Sequence, residues 1–232
     1  MQSKERAVTR SSSVAAGPGD LTAKARIRNA ALALYADFGE DGTSMRAIAA
    51  AAGVTVGLVT HHFQTKDGLR DAIEYRIVEL FSEAIAAVPG SGSPRGVAKD
   101  RDAAVGRMLG DNPAVVGYLR RAVLDVTGHR GRILELLTDL TADQVTSLRT
   151  AGLASTAPRD SSQVIGILVR QLGQLFLQPM IDSAWSQLAG PDAGDDVKPQ
   201  LVIRVLGPDT ALSGEVAGDG GDSAGRQRVL QL

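Results

Sequence analysis

The sequence contains no cysteine and few aromatic residues, and several classes of protein are excluded by what is missing. Without cysteine, disulfide bonds, thiolate metal sites and cysteine nucleophiles cannot form. We find no nucleophile elbow, phosphate-binding loop, zinc-protease motif or glycine-rich dinucleotide turn. Aromatic residues make up 3% of the chain and give little indication of a ligand. We therefore expect neither an enzyme nor a cofactor.

The sequence also gives no sign of export or of a membrane segment. Residues 1–20 lack the apolar region of a secretory signal, and their Ser, Gly, Ala and basic content predicts a flexible basic arm. The longest uncharged run, 47–65, contains two histidines and several threonines, which makes it too polar for lipid. Residues 213–232 are Gly-rich and predict a disordered tail. A cytoplasmic location is expected.

Charge is distributed unevenly although the net charge is only -1. The first 70 residues hold nine Lys and Arg residues against six Asp and Glu residues, and the remainder is acidic. A basic N-terminal third is compatible with nucleic-acid binding there. Whether residues 1–20 contact DNA or only add solubility stays open.

Hydrophobic spacing predicts an all-α protein of about nine helices. Apolar residues recur every three or four positions, and no long run alternates with the period of a strand. Pro179 should kink or interrupt the helix in which it lies. The predicted helices cover residues 21–38, 44–52, 55–63, 66–88, 97–110, 113–127, 131–150, 163–188 and 199–212.

Two short predicted helices around Gly53 have the spacing of a helix-turn-helix between Ser44 and His62. The second presents a small outer surface that could enter a DNA major groove. Gly57 lies on that surface, where it costs roughly 1 kcal/mol of helix propensity relative to Ala. Any small helical bundle can show this pattern, so the residues alone leave a structural role open.

The segments AGVTVGLVTHHFQTKDGL, from Ala52, and GTSMRAIAAAAG, from Gly42, resemble the signature of the TetR family of transcriptional regulators. The similarity is dense over residues 22–70. It implies a three-helix DNA-binding domain, 21–66, and a larger helical ligand-binding and dimerisation domain, 67–212. It also implies a homodimer, double-stranded DNA as a partner and a small-molecule effector.

The resemblance assigns roles to individual residues near the helix-turn-helix. Thr43 or Ser44 would bind phosphate, and Arg46 and Lys66 would add charged contacts. Thr60 stands where many family members have Tyr, and it could touch a thymine methyl group instead. The residues expected in the recognition helix are Thr55, Val56, Gly57, Thr60 and His61.

The His61 and His62 pair does not predict a metal site, because adjacent side chains on a helix diverge by about 100 degrees. We expect His62 to pack beside Phe63, the family's buried aromatic stop, while His61 faces DNA.

The second domain offers weaker indications. A polar stripe, Gln171, Gln174 and Gln178, could line a pocket, cross an interface or face solvent. Candidate ligand-binding residues are Phe81, Met108, Tyr118 and Gln171. Candidate dimer-interface residues are Leu168, Leu172, Leu175, Phe176, Trp185, Val202 and Val205.

The predicted function is a ligand-responsive regulator, a repressor that a small molecule releases from a pseudo-palindromic operator. An activator of the same fold and a helical protein-interaction module without DNA binding remain alternatives. The effector, the operator sequence and the regulated genes cannot be read from the sequence.

Overall fold

The computed structural model describes residues 18–124, 132–189, 198–199, 201–203 and 205, and side chains in the first helix from Ala23 onward. Within these residues the protein has eight helices and no strand, which confirms the all-α prediction. The helices are α1 Pro18–Phe38, α2 Met45–Ala52, α3 Val56–Phe63, α4 Lys66–Ala86, α5 Pro94–Asp111, α6 Pro113–Leu124, α7 Ile133–Thr150 and α8 Asp160–Leu188.

Caps set the boundaries of the short N-terminal helices. The Ser44 and Thr55 hydroxyls each accept a hydrogen bond from the amide three residues later, at 3.1 and 3.3 Å, and so begin α2 and α3. Gly53 has φ 64° at the end of α2, a left-handed conformation that glycine adopts without strain. The predicted helix-turn-helix therefore forms between these caps.

One hydrophobic core runs through the described helices. It includes Ile27 and Tyr35 of α1, Ile48 of α2, Val59 of α3 and Ile73 of α4, all at most 1% exposed. The central helices contribute further residues to the same cluster: Ile77, Phe81, Val105, Val115, Leu119, Leu137, Val145 and Leu168. The helix-turn-helix is thus packed on α1 and α4 and is continuous with the larger helical part.

Helix α1 packs extensively on α6 as well as on α2. A Cβ added to Gly117 of α6 would lie 3.0 Å from the Ala36 Cβ, so the two helices approach closely there. Arg121 of α6 donates hydrogen bonds to the carbonyl oxygens of Ala36 and Asp37, at 2.8 and 2.6 Å. A side chain from α6 therefore satisfies acceptors at the end of α1 that the helix cannot satisfy itself.

The last predicted helix is wrong where it can be tested. Pro199, Val202 and Val205 are described and are not helical. The chain instead returns along α8, where Lys198 pairs with Asp182 at 2.6 Å. The spacing of apolar residues in 199–212 favoured a helix. The described residues of this range pack along α8 without helical structure. The predicted arm, 1–20, is wrong at its end, because α1 already begins at Pro18. Residues 1–17, 125–127 and 213–232 lie outside the described residues.

Helix α8 is not interrupted at Pro179, contrary to one of the two predicted outcomes. By length and composition α8 could also cross a membrane. It packs against α7, however, and carries Arg170 bound to Asp102 of α5 at 2.6 Å. These contacts make it part of the helical bundle.

Candidate nucleic-acid interface

The outer surface of α3 is exposed along its whole length. Thr55, Val56, Gly57, Thr60 and His61 are all exposed, whereas Val59 and Phe63 on the opposite side are buried. The side chains that sequence spacing assigned to the outside are therefore brought together on one surface.

Nothing in the described part of the protein requires glycine at position 57. A Cβ built there would meet only the Thr55 hydroxyl oxygen, at 3.9 Å, so the described protein leaves room for a side chain. Glycine in a helix is nevertheless unfavourable by roughly 1 kcal/mol relative to Ala. Packing within the described residues therefore does not account for glycine at this exposed position.

Helix α2 presents Ser44 and Arg46 beside this surface. Both residues are exposed, and the Ser44 hydroxyl caps the helix. Arg46 makes no hydrogen bond or ion pair with another described residue, so its guanidinium is available to an external anion. A helix N-terminus with a nearby cation is a favourable place for a phosphate.

Thr43 must be removed from the predicted phosphate contacts. Its side chain is 2% exposed, and its hydroxyl donates to the Gly39 carbonyl oxygen at 2.8 Å. It therefore stabilises the turn between α1 and α2 from the inside. Of the two alternatives, only Ser44 is exposed to a ligand.

Lys66 is held by the same turn. Its Nζ donates to the Glu40 carbonyl oxygen at 2.5 Å, and the Lys66 side chain is half-buried at the start of α4. The Glu40 carboxylate in turn pairs with Arg70 of α4 at 3.2 Å. An ammonium has three donors, so Lys66 can hold Glu40 and still reach a phosphate.

His62 lies beside Phe63 as predicted, but the His61 and His62 rings, which were expected to diverge, lie 5.4 Å apart. The His62 ring lies 6.1 Å from the buried Phe63 ring, and His61 is exposed. Lys24 of α1 places its Nζ 5.8 Å from the Phe63 ring centre. No group of three metal-ligating side chains occurs within the described residues.

The turn between α3 and α4 is strained. Gln64 has φ 60° and ψ -58°, and the Thr65 amide donates to the Phe63 carbonyl oxygen at 2.6 Å. This is the geometry of a γ-turn that non-glycine residues rarely adopt. It sets the start of α4, and with it Lys66, directly against the end of α3.

In the larger helical part, the four candidate ligand residues do not share one site. Phe81 and Met108 pack in or against the hydrophobic core. The Tyr118 hydroxyl donates to the Glu74 carboxylate at 2.8 Å. Of the four, only Gln171 lines a partly open cavity of about 90 Å³ between α4, α5, α7 and α8, named here the inner cavity.

The polar stripe of α8 lines a groove. Gln171, Gln174 and Gln178 border a cavity of about 630 Å³ together with α5 and α6. Glycines at positions 106 and 110 leave the facing surface of α5 without side chains. The stripe therefore faces a space large enough for a ligand in the single chain.

The fold buries one of the candidate dimer-interface residues and leaves the others partly or fully exposed. Leu168 is 9% exposed and belongs to the core, so it is withdrawn as an interface residue. Leu172, Leu175, Phe176 and Trp185 are half-buried on α8, while Val202 and Val205 are exposed after it. The most exposed apolar side chains of α8 were not selected from the sequence: Ile165, Val169, Leu177, Met180 and Leu188.

Sequence reasoning also missed Glu74, the one buried carboxylate among the described residues. It lies on α4, is 1% exposed, and accepts hydrogen bonds from Tyr118 and from the Arg132 amide at 2.8 and 2.7 Å. Burial raises the pKa of Glu74, and these two hydrogen bonds oppose the rise. Its position on the inward side of α4, between Ile73 and Ile77, was the available signal.

Comparison with known proteins finds a family model that matches the helix-turn-helix region. Residues 27–73 match the family of bacterial regulatory proteins, tetR family. The HTH-type transcriptional regulatory protein RaaS of Mycobacterium tuberculosis is 47% identical over 75 residues, 32% of this chain and 35% of that protein. The chain thus matches about a third of the length of this curated relative.

Solved structures extend the likeness to most of the fold. A TetR-family transcription regulator from Shewanella sp. PV-4 aligns with a TM-score of 0.59 and 21% identity, over 71% of this chain and 89% of that one. A gamma-butyrolactone receptor, an ArpA-like protein, aligns with a TM-score of 0.53 and 19% identity, over 74% and 89%. The sequence match to the tetR family therefore covers the helix-turn-helix region, and these structures show that the rest of the described chain shares the fold of such regulators.

Proposed function

We propose that the protein is a homodimeric, cytoplasmic repressor that binds a pseudo-palindromic operator and is released from it by a small molecule. The observation that carries the proposal is the outer surface of α3, with Gly57 exposed and without any neighbour that would explain it. A small, uncharged helix surface fits the major groove and leaves the backbone close to base edges.

The proposed DNA contacts are of two kinds, contacts to bases and contacts to phosphates. Thr55, Val56, Thr60 and His61 read bases, and Gly57 allows the helix to sit close to them. Ser44, Arg46 and Lys66, at the N-termini of α2 and α4, bind phosphates on either side. Phosphate contacts supply much of the affinity, whereas α3 supplies the preference for sequence.

The position of α4 suggests how an effector would release the protein from DNA. This helix begins at Lys66 beside the DNA-reading surface and continues into the effector domain, where Glu74 contacts α6 and the start of α7. In a dimer the two α3 helices must lie about 34 Å apart to read successive major grooves. An effector that favours a different position of α4 changes this spacing and lowers operator affinity.

The test is direct binding to DNA. The full chain is titrated against its own promoter region, with fluorescence anisotropy at several salt concentrations. We expect one pseudo-palindromic site, bound far more tightly than random DNA and with a steep salt dependence. Equal affinity for promoter and random DNA at low salt would contradict the proposal.

The role of Thr60 is tested by Thr60→Ala, which should cost about 1–3 kcal/mol at one base pair of each half-site and leave other positions unchanged. The Thr60 hydroxyl bonds the Val56 carbonyl oxygen at 3.2 Å. Thr146 of α7 is an equally exposed threonine that bonds Ala142 in the same way, at 2.9 Å, so Thr146→Ala is a matched control. Equal effects of the two substitutions on DNA preference would refute base contact by Thr60.

A further inference from the structure

The inner cavity of the effector domain carries an excess positive charge. It has a volume of about 90 Å³ and is lined largely by apolar side chains, among them Ile85, Val105, Val145 and Ile167. Arg101, Asp102 and Arg170 also line it. Two guanidinium groups therefore face one carboxylate around a mainly apolar space.

The Asp102 carboxylate is already paired with Arg170. Asp102 accepts hydrogen bonds from both terminal nitrogens of Arg170, at 2.6 and 3.3 Å, and from Gln171 at 3.3 Å. A paired arrangement of this kind satisfies Arg170. The unmatched charge at the cavity is that of Arg101.

Arg101 is only partly satisfied. Its Nη1 donates to the Gln144 side-chain oxygen at 3.0 Å, and no described carboxylate forms an ion pair with it. Its Nε is buried and has no hydrogen-bond acceptor. A buried N–H without an acceptor is unfavourable, and a guanidinium most favours the two oxygens of a carboxylate.

We infer that the effector is a small monocarboxylate, whose carboxylate pairs with Arg101 and whose short aliphatic chain fills the inner cavity. A cavity of about 150 Å³ holds benzene, so 90 Å³ suits a chain of about three or four carbons. The larger groove borders the same Asp102, Val105 and Gln171. This inference rests on the proposed function for its regulatory meaning but concerns ligand binding alone.

The experiment uses the full chain without DNA and butyrate as the probe, titrated by NMR. Butyramide has the same size and no charge, and we expect it to bind at least tenfold more weakly than butyrate. Arg101→Met keeps the apolar stem and removes the charge, so it should weaken butyrate at least tenfold. Arg107→Met, an exposed arginine on the same helix, is the matched control and should leave binding unchanged.

A second variant addresses the apolar chain. Val145→Phe places a ring in the cavity and should abolish butyrate binding while Arg101 is intact, with folding checked by circular dichroism. Equal binding of butyrate and butyramide, no binding of butyrate, or equal losses in the Arg101 and Arg107 variants would overturn the inference. Operator binding is measured separately, so a failure there refutes the proposed function and leaves this result unaffected.

Discussion

Arg46 is the residue at which phosphate binding can be tested without disturbing the fold. It is exposed on α2 and makes no hydrogen bond or ion pair with another described residue that the substitution would break. Arg46→Met should weaken binding to operator and random DNA by similar factors and reduce the slope of log affinity against log salt by about one per half-site. Fluorescence anisotropy across a salt series measures both quantities. An unchanged slope would show that Arg46 does not contact phosphate.

Glu74 and Tyr118 form a buried hydrogen-bonded pair, and removing the bond should lower the stability of the fold. Tyr118→Phe leaves one buried carboxylate oxygen without its donor and should lower the free energy of unfolding by about 1–3 kcal/mol. Tyr75 lies on the same helix as Glu74, is 49% exposed and bonds Arg132 only at 3.4 Å, so Tyr75→Phe should change stability by less than about 0.5 kcal/mol. Urea denaturation of both variants gives the comparison, and equal losses would contradict it.

The raised pKa of Glu74 also predicts a pH dependence. The folded protein keeps this proton at pH values where the unfolded chain has lost it, so the free energy of unfolding falls as pH rises from the ordinary glutamate value through the folded pKa. Glu74→Gln does not titrate and should lack that decline. Its amide oxygen can accept from the Arg132 amide while its NH₂ group donates to the Tyr118 oxygen. Denaturation from pH 4 to 8 would refute the assignment if the two profiles ran parallel.

Individual residues show how far sequence reasoning reaches. The exposed surface of α3 followed from helical spacing, which fixes which positions share a side. Thr43 was offered equally with Ser44 because both can begin a helix, and only the turn geometry buries one of them. The Glu40 contacts with Lys66 and Arg70 span 26 and 30 residues, and spacing within one helix carries no information on such pairs.

At the scale of the element, Gly68 fixes how α4 meets α3. A Cβ at this position would lie 2.4 Å from the Phe63 carbonyl oxygen, a backbone atom that cannot move independently. Gly68→Ala should therefore destabilise the fold by about 1–3 kcal/mol and weaken DNA binding, because it separates Lys66 from the end of α3. Gly106→Ala, at a helical glycine with no atom within 4 Å, should instead be neutral or stabilising. Thermal denaturation and anisotropy test both, and a neutral Gly68→Ala would contradict the close approach.

Helix positions could be predicted where residues that start or end helices accompanied the periodic spacing of apolar residues. Gly53 ends α2 between the two predicted short helices, and α4 begins at Lys66, the predicted first residue. The helix predicted from Pro199 onward was supported by apolar spacing alone. Its described part follows contacts with α8, which are tertiary and lie beyond local pattern.

At the scale of the whole molecule, α8 predicts where two chains meet. Its exposed side carries Ile165, Val169, Leu177 and Met180, an apolar surface that the described chain leaves uncovered. In a two-fold dimer each substitution occurs twice, so Val169→Glu brings two like charges into the interface. We expect the dimer dissociation constant to rise at least tenfold, as measured by light scattering over a concentration series.

Leu134→Glu is the control for that substitution. Leu134 is an apolar residue of α7 that is 49% exposed, close to the 41% of Val169. Its replacement should leave the association unchanged. If both variants dissociated equally, general charge rather than the α8 surface would be responsible.

The hydrogen bonds from Arg121 to the end of α1 have a consequence for the modularity of this protein. Helix α1, on which the candidate nucleic-acid interface packs, receives hydrogen bonds at its C-terminus and the close contact at Ala36 from α6 of the larger helical part. A chain divided near residue 66 would remove these hydrogen bonds and expose the side of α1 that packs on α6. A chimaera that exchanges DNA specificity between two such regulators would therefore have to carry α6 together with the first three helices.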